Sequence, residues 1–128
     1  MDHKFSFEKL DVWHDARLFV KEVYLLTSKF PKEERYGLSS QLQRAAVSVI
    51  SNITEGTSRF SDKEKLRFIE ISYTSLMEVY CQLIVSLDLE YITINQLENQ
   101  KLTVFKISNK LTALYRSIQK RMKDKDED

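Results

Sequence analysis

A chain of 128 residues, 42% hydrophobic and 30% charged, can bury the core of one soluble domain. Two glycines and one proline are too few for the turns of a strand-rich fold, and no apolar run approaches the roughly 18 residues of a membrane span. Net charge is +1, and Cys81 as the only cysteine excludes an internal disulfide. The start, "MDHKFSFEKLDVW", is charged from its second residue and does not read as a signal peptide, so a reducing cytoplasm is the expectation. No low-complexity segment or internal repeat stands out.

Residues 1–10 are expected to form an arm, with Phe5, Phe7 and Leu10 packing as an extended segment. The first helix is predicted from Asp11, its expected cap, to Ser28. Val12, Ala16, Phe19, Val23 and Leu26 repeat at 4-3-4-3 spacing and so share one buried stripe, which Trp13, Val20 and Tyr24 widen. Phe30-Pro31 ends that region, and "PKEERYG" connects onward with room for one helical turn.

Ser39 or Ser40 is expected to cap the second helix, which runs to Glu55 on a stripe of Leu42, Ala46, Val49 and Ile53. Gly56 then sits where a left-handed C-terminal residue is wanted. Ser61 and Glu64 make a capping box for the third helix, which continues to about Glu90. Its stripe is Leu66, Ile69, Tyr73, Leu76, Tyr80, Leu83 and Leu87. Thr93 and Gln96 suggest a second box, opening a fourth helix on Leu97, Val104, Leu111 and Ile118, with Ile107, Leu114, Tyr115 and Met122 beside them. The charged tail, 123–128, is expected to fray. Four amphipathic helices on short connections predict a single all-α domain over 1–128, an antiparallel up-down four-helix bundle.

Two stretches are short of charge. Residues 36–54 carry only Arg44, and residues 71–87 only Glu78, where the chain average would put about five in each. A surface helix needs a solvated face, so the second and third helices are expected to be covered on more than one side, by self-association into a symmetric ring or dimer. Gln41, Ser48, Asn52 and Glu55 fall in one sector of the second helix, with Arg44 at its edge. That sector, with Glu78, is the expected subunit interface and polar network. Arg44 and Glu78 are expected to pair, within one chain or across the interface. Arg44→Ala should then cost stability or assembly by leaving Glu78 buried and alone.

The fourth helix is basic. Lys101, Lys106, Lys110, Arg116, Lys120, Arg121 and Lys123 lie between 99 and 123 without an acid, which leaves the rest of the chain at −6. All but Arg121 fall on one arc and form a candidate nucleic-acid surface. The competing reading is a solvated face balanced by acids on neighbouring helices, since no aromatic stacking platform is interleaved along this helix.

Catalytic and metal motifs are missing from the sequence. His3 and His14 have no metal spacing, Cys81 has no CxxC partner, and no glycine-rich phosphate loop occurs. Glu55, Glu64, Glu70 and Glu78 lack the Glu-x-x-His spacing of a di-iron bundle. The expectation is a protein that is not an enzyme, with no cofactor and no metal.

The stretches "FEKLDVWHDARLFV", "FPKEERYGLSSQLQRAAVSVISNITEG", "SRFSDKEKLRFIEISYTSLMEV" and "LDLEYI" come in order. From Phe7 to Ile118 the chain resembles the four-helix-bundle proteins first noticed as reading frames in intervening sequences of bacterial 23S ribosomal RNA genes. Arg44, Asn52, Glu55, Gly56 and Glu78 fall on family motif positions, and Ile71-Ser72 is a small departure from an Ala-rich stretch. The resemblance implies a bacterial protein whose bundles form ring-shaped homopentamers. The family's function is largely unknown. A related accessory protein of diversity-generating retroelements uses a more basic pentameric bundle to bind a reverse transcriptase and nucleic acid. The expected role is therefore an assembly or adaptor module for another protein, and the alternative is an RNA- or DNA-binding ring using the fourth helix.

Overall fold

A computed structural model describes residues 3–127. Four helices make the fold: α1 (Asp11–Thr27), α2 (Leu38–Ser58), α3 (Asp62–Asp88) and α4 (Ile94–Glu127). Each packs on the next, and α4 packs back on α1. The buried core is the set of 3-4 stripes: Phe19 and Val23 from α1, Leu42, Val49 and Ile53 from α2, Leu76 and Leu83 from α3, Ile107 and Leu111 from α4. The chain is an all-α four-helix bundle.

Cross-helix hydrogen bonds give the direction of two pairs. Trp13 Nε1 donates to Thr54 Oγ1 at 3.1 Å, while Gln43 Nε2 donates to Thr27 Oγ1 at 3.0 Å. The start of α1 thus meets the end of α2. Ser48 meets Ser75 at 2.8 Å and Gln82 reaches Gln41 at 3.4 Å, so α2 and α3 also run antiparallel.

Several local expectations are corrected. The arm is a 3-10 turn at Ser6–Lys9 rather than extended, closed by Phe5 N donating to Glu8 Oε1 at 3.1 Å. Asp11 does not cap α1: Leu10 holds the extended N-cap position, and Asp11 lies inside the first turn, where a carboxylate favours the helix dipole. Neither Ser39 nor Ser40 caps α2. Gly37 is at that position, and Glu34 reaches from the Lys32–Glu34 3-10 turn to accept from Leu38 N at 3.3 Å. The same carboxylate accepts from Tyr91 Oη at 3.0 Å, tying the α1–α2 connection to the α3–α4 connection.

Gly56 is the largest correction. It is an ordinary helical residue of α2, without positive φ, and it is buried. A Cβ there would stand 3.2 Å from the Lys65 carbonyl oxygen and 3.3 Å from Phe68 Cβ. Glycine is needed because α3 passes so close, not because the helix stops. Ser61 does cap α3, accepting from Glu64 N at 3.2 Å, but Glu64 pairs with Arg67 at 3.2 Å instead of returning the bond. Thr93 and Gln96 form both halves of their box, at 2.9 and 3.1 Å.

The left-handed helix stop lies elsewhere, at Glu90, with φ 64°. Tyr91 N donates to Ser86 O at 2.8 Å and Glu90 N to Leu87 O at 2.9 Å, the paired bonds of a Schellman turn. At the far end, α4 stays helical through Glu127 rather than unwinding from 123. Arg121 and Lys125 both reach Asp62 at the start of α3, which anchors the last turns.

Candidate functional site

The polar sector of α2 divides in two. Its inner part is used within the protomer. Asn52 Nδ2 donates to Ser48 O at 2.8 Å and contacts Ser48 Oγ at 3.0 Å, and Ser48 bonds Ser75 of α3. Beside them the buried Ser72 hydroxyl donates to Val49 O at 2.7 Å. The outer part stays on the surface: Gln41, Arg44 and Glu55 are exposed, as are Val47 and Ser51 between them. Glu55 pairs with Arg59 at 3.1 Å, at the end of the helix.

Arg44 and Glu78 do not meet inside the protomer. Arg44 is turned toward α1, lining a groove with Tyr24, Gln43 and Val47. Glu78 accepts from Gln82 at 3.2 Å, and Gln82 in turn touches Gln41. The intrachain half of the expected pairing is therefore not formed: Arg44 lies toward α1, whereas Glu78 bonds Gln82 along its own helix. Neither has an ion-pair partner among the described residues.

The basic helix also divides. Lys106 and Lys110 both reach Asp15 of α1, at 3.2 and 2.7 Å. Burial pushes the Asp15 carboxyl up, but the hydrogen bonds and charges of Lys110 and Lys106 outweigh it and hold the group below the usual carboxylate value. The hydrogen bond that Lys110 donates to Asp15 raises Lys110 correspondingly. Arg121 makes a two-pronged contact with Asp62, at 2.6 and 3.2 Å, and this lowers the Asp62 carboxyl. On this flank the acid-balanced reading holds. Lys101, Arg116 and Lys120 have no carboxylate within ion-pair distance among the described residues, and Lys123 is exposed.

Two of these cations, Lys101 and Arg116, border a feature not anticipated helix by helix. A groove of about 340 Å³ runs between α3 and α4, lined by Tyr73, Tyr115 and Arg116 with Glu70. Tyr73 also lines a second hollow of about 170 Å³, with Tyr80, Phe105 and Lys101. The two hollows share Tyr73 in their walls. Tyr73 and Tyr80 were expected in the core stripe of α3, but the buried arc is rotated toward Ser72, Ser75, Val79 and Ser86. That leaves Tyr73 exposed and Tyr80 half-buried on the groove.

Catalytic groupings are sparse. Among the described residues, no group of three or more His, Cys, Asp or Glu side chains is placed to hold a metal ion. His14 is exposed, with Nε2 at 2.6 Å from the Glu8 carbonyl oxygen. Cys81 is exposed on α3, not in the core of the protomer. No described helix is long and apolar enough to cross a membrane.

Bundle, buried stripes and polar seam together define an all-α protein built from two helical hairpins. The model of the 23S rRNA-intervening sequence protein family matches residues 8–113, and the chain belongs to that family. No curated protein matches it. A crystal structure of a protein of unknown function from the S23 ribosomal protein family, from Bacteroides thetaiotaomicron, is similar in fold. It is 22% identical, covers 82% of this chain and 95% of its own, and superposes with a TM-score of 0.76.

Proposed function

We propose that this chain is a non-enzymatic assembly or adaptor module of the bacterial cytoplasm. Its working form is a homo-oligomer, a pentamer, built over the outer faces of α2 and α3. The observation that carries this reading is the pair of lone charges. Arg44 and Glu78 stand exposed as the lone charges of residues 36–54 and 71–87, and neither has an ion partner among the described residues of its own protomer. Val47, Ile84 and Val85 are each about two-fifths exposed on the same helices. A surface of this make-up is that of a contact face rather than a solvated one. Arg44 of one copy meeting Glu78 of the next would complete both. Sedimentation at micromolar concentration tests the reading. The expected mass is about five times the 15.2 kDa of one chain, and a mass of one chain refutes it.

A second reading, RNA or DNA binding through α4, is supported by the uneven pairing of its cations. Lys106 and Lys110 are matched by Asp15, whereas Lys101, Arg116 and Lys120 have no acid partner among the described residues. Retention of a labelled oligonucleotide that falls steeply with salt is its signature. No retention at low salt removes it.

A further inference from the structure

The cations of α4 that lack an acid partner are not scattered. Lys101, Phe105, Ser108, Thr112, Arg116 and Gln119 follow one another at three- and four-residue steps, so they form one row along the α3 side of α4. From Lys101 to Arg116 that row spans roughly 22 Å at the helical rise. Facing it from α3 are Tyr73 and Tyr80. Four aromatic rings, Tyr73, Tyr80, Phe105 and Tyr115, thus line two neighbouring hollows of the α3–α4 groove that share Tyr73, with Lys101 in one and Arg116 in the other. Phe105 is 56% exposed and Tyr73 36% exposed, so ring surface is open to a ligand. Lys120 stands one turn beyond Arg116, and Glu70 is the one carboxylate among the lining residues.

We propose that this α3–α4 groove is a binding site for single-stranded nucleic acid. Bases stack on the aromatic rings, and phosphates lie against Lys101, Arg116 and Lys120. The proposal rests on the nucleic-acid reading above and is independent of the assembly reading. Two observations point to a single strand. Aromatic rings in an open groove need exposed base faces, which a duplex hides. Unmatched positive charge along the same groove favours a polyanion over an apolar peptide. The length of the Lys101–Arg116 row suits a strand of about four nucleotides, the small end of the range for such sites.

The test is fluorescence anisotropy with a labelled oligouridine of about twelve nucleotides and an RNA duplex of equal length. The single strand should bind on the order of tenfold more tightly than the duplex. Tyr73→Leu and Phe105→Leu keep apolar bulk but remove the ring, and each should weaken single-strand binding about tenfold. Phe105→Tyr should restore it. Lys101→Glu and Arg116→Glu should weaken binding and flatten its salt dependence. Lys106→Ala, on the Asp15 side, should leave affinity within about twofold.

Binding that responds to the charge variants but not to the ring variants overturns the groove and leaves the nucleic-acid reading standing. Equal affinity for strand and duplex does the same. No binding by the wild-type protein at low salt overturns both. Ring variants that lower the oligomer mass without touching RNA affinity assign the groove to a protein contact and overturn the proposal.

Discussion

The α2–α3 seam and the α1–α4 seam solve the same packing problem by opposite means. Between α2 and α3 the contact is close and, apart from Lys65 Nζ donating to Thr57 O at 3.0 Å near the turn, uncharged. Gly56, Ala45, Ala46, Ser72, Ser75 and Ser86 are buried, and the hydroxyls of Ser48, Ser72 and Ser75 find partners within hydrogen-bond distance. Between α1 and α4 the contact is wider. Asp15 and its two lysines hold the edge, and a groove of about 560 Å³ lies along Glu22, Leu25, Asn99 and Thr103. Charge depletion on α2 and α3 therefore has two sources. Part of it reflects the fit of α2 to α3 inside one chain, and only the outer residues are left for a neighbour.

Substitutions can break this contrast, and the largest effect is expected at the tight seam. Gly56→Val places a branched side chain against the α3 backbone and should cost about 2 to 3 kcal/mol in chemical denaturation. A loss under about 0.5 kcal/mol would mean that the seam is not close-packed there.

At the wide seam the sign should reverse. Gln100 is 7% exposed, and its Oε1 is buried without a partner among the described residues. Gln100→Leu should stabilise by about 1 kcal/mol, because it removes a buried acceptor that no described residue satisfies. Destabilisation would contradict the description of that groove.

Asp15→Asn should cost about 1 kcal/mol or less at neutral pH, since the Asp15–lysine contact lies at the edge of the seam. The pH dependence is the sharper readout. The folded-state value of Asp15 lies below its ordinary 3.8, so the contact stabilises fully above that pH and is lost as pH falls through the folded value. The difference between wild type and variant should close in acid. A difference that stays constant down to acid unfolding would rule out the ionised pair as its source.

The sequence carries the fold on several readable signals. The 3-4 stripes mark the core because burial follows helical period, and Thr93 with Gln96 marks the start of α4 because its capping bonds are local. What stayed hidden depends on residues far apart in the chain. Gly56 reads as a helix stop until α3 is seen passing over it. Glu34 caps α2 from outside the helix, where the two serines at its start look sufficient. Asp15 meets Lys110 across 95 residues, so the neutralised flank of α4 has no local signature. The aromatic groove was missed for the same reason. Tyr73 and Tyr80 fit a helical core stripe, and only the small serines of α3 reveal that the buried arc is rotated away from them.

The proposed assembly turns most on Arg44 and Glu78, the lone charges of residues 36–54 and 71–87, and charge reversal with native mass tests them directly. Arg44→Glu and Glu78→Arg should each lower the assembled mass, by placing like charges together at the contact. The double variant should restore it, because the pair is re-formed with its signs exchanged. Restoration in the double variant supports a contact between Arg44 of one copy and Glu78 of another. Three variants that all keep the wild-type mass, or a double variant no better than either single one, would contradict it.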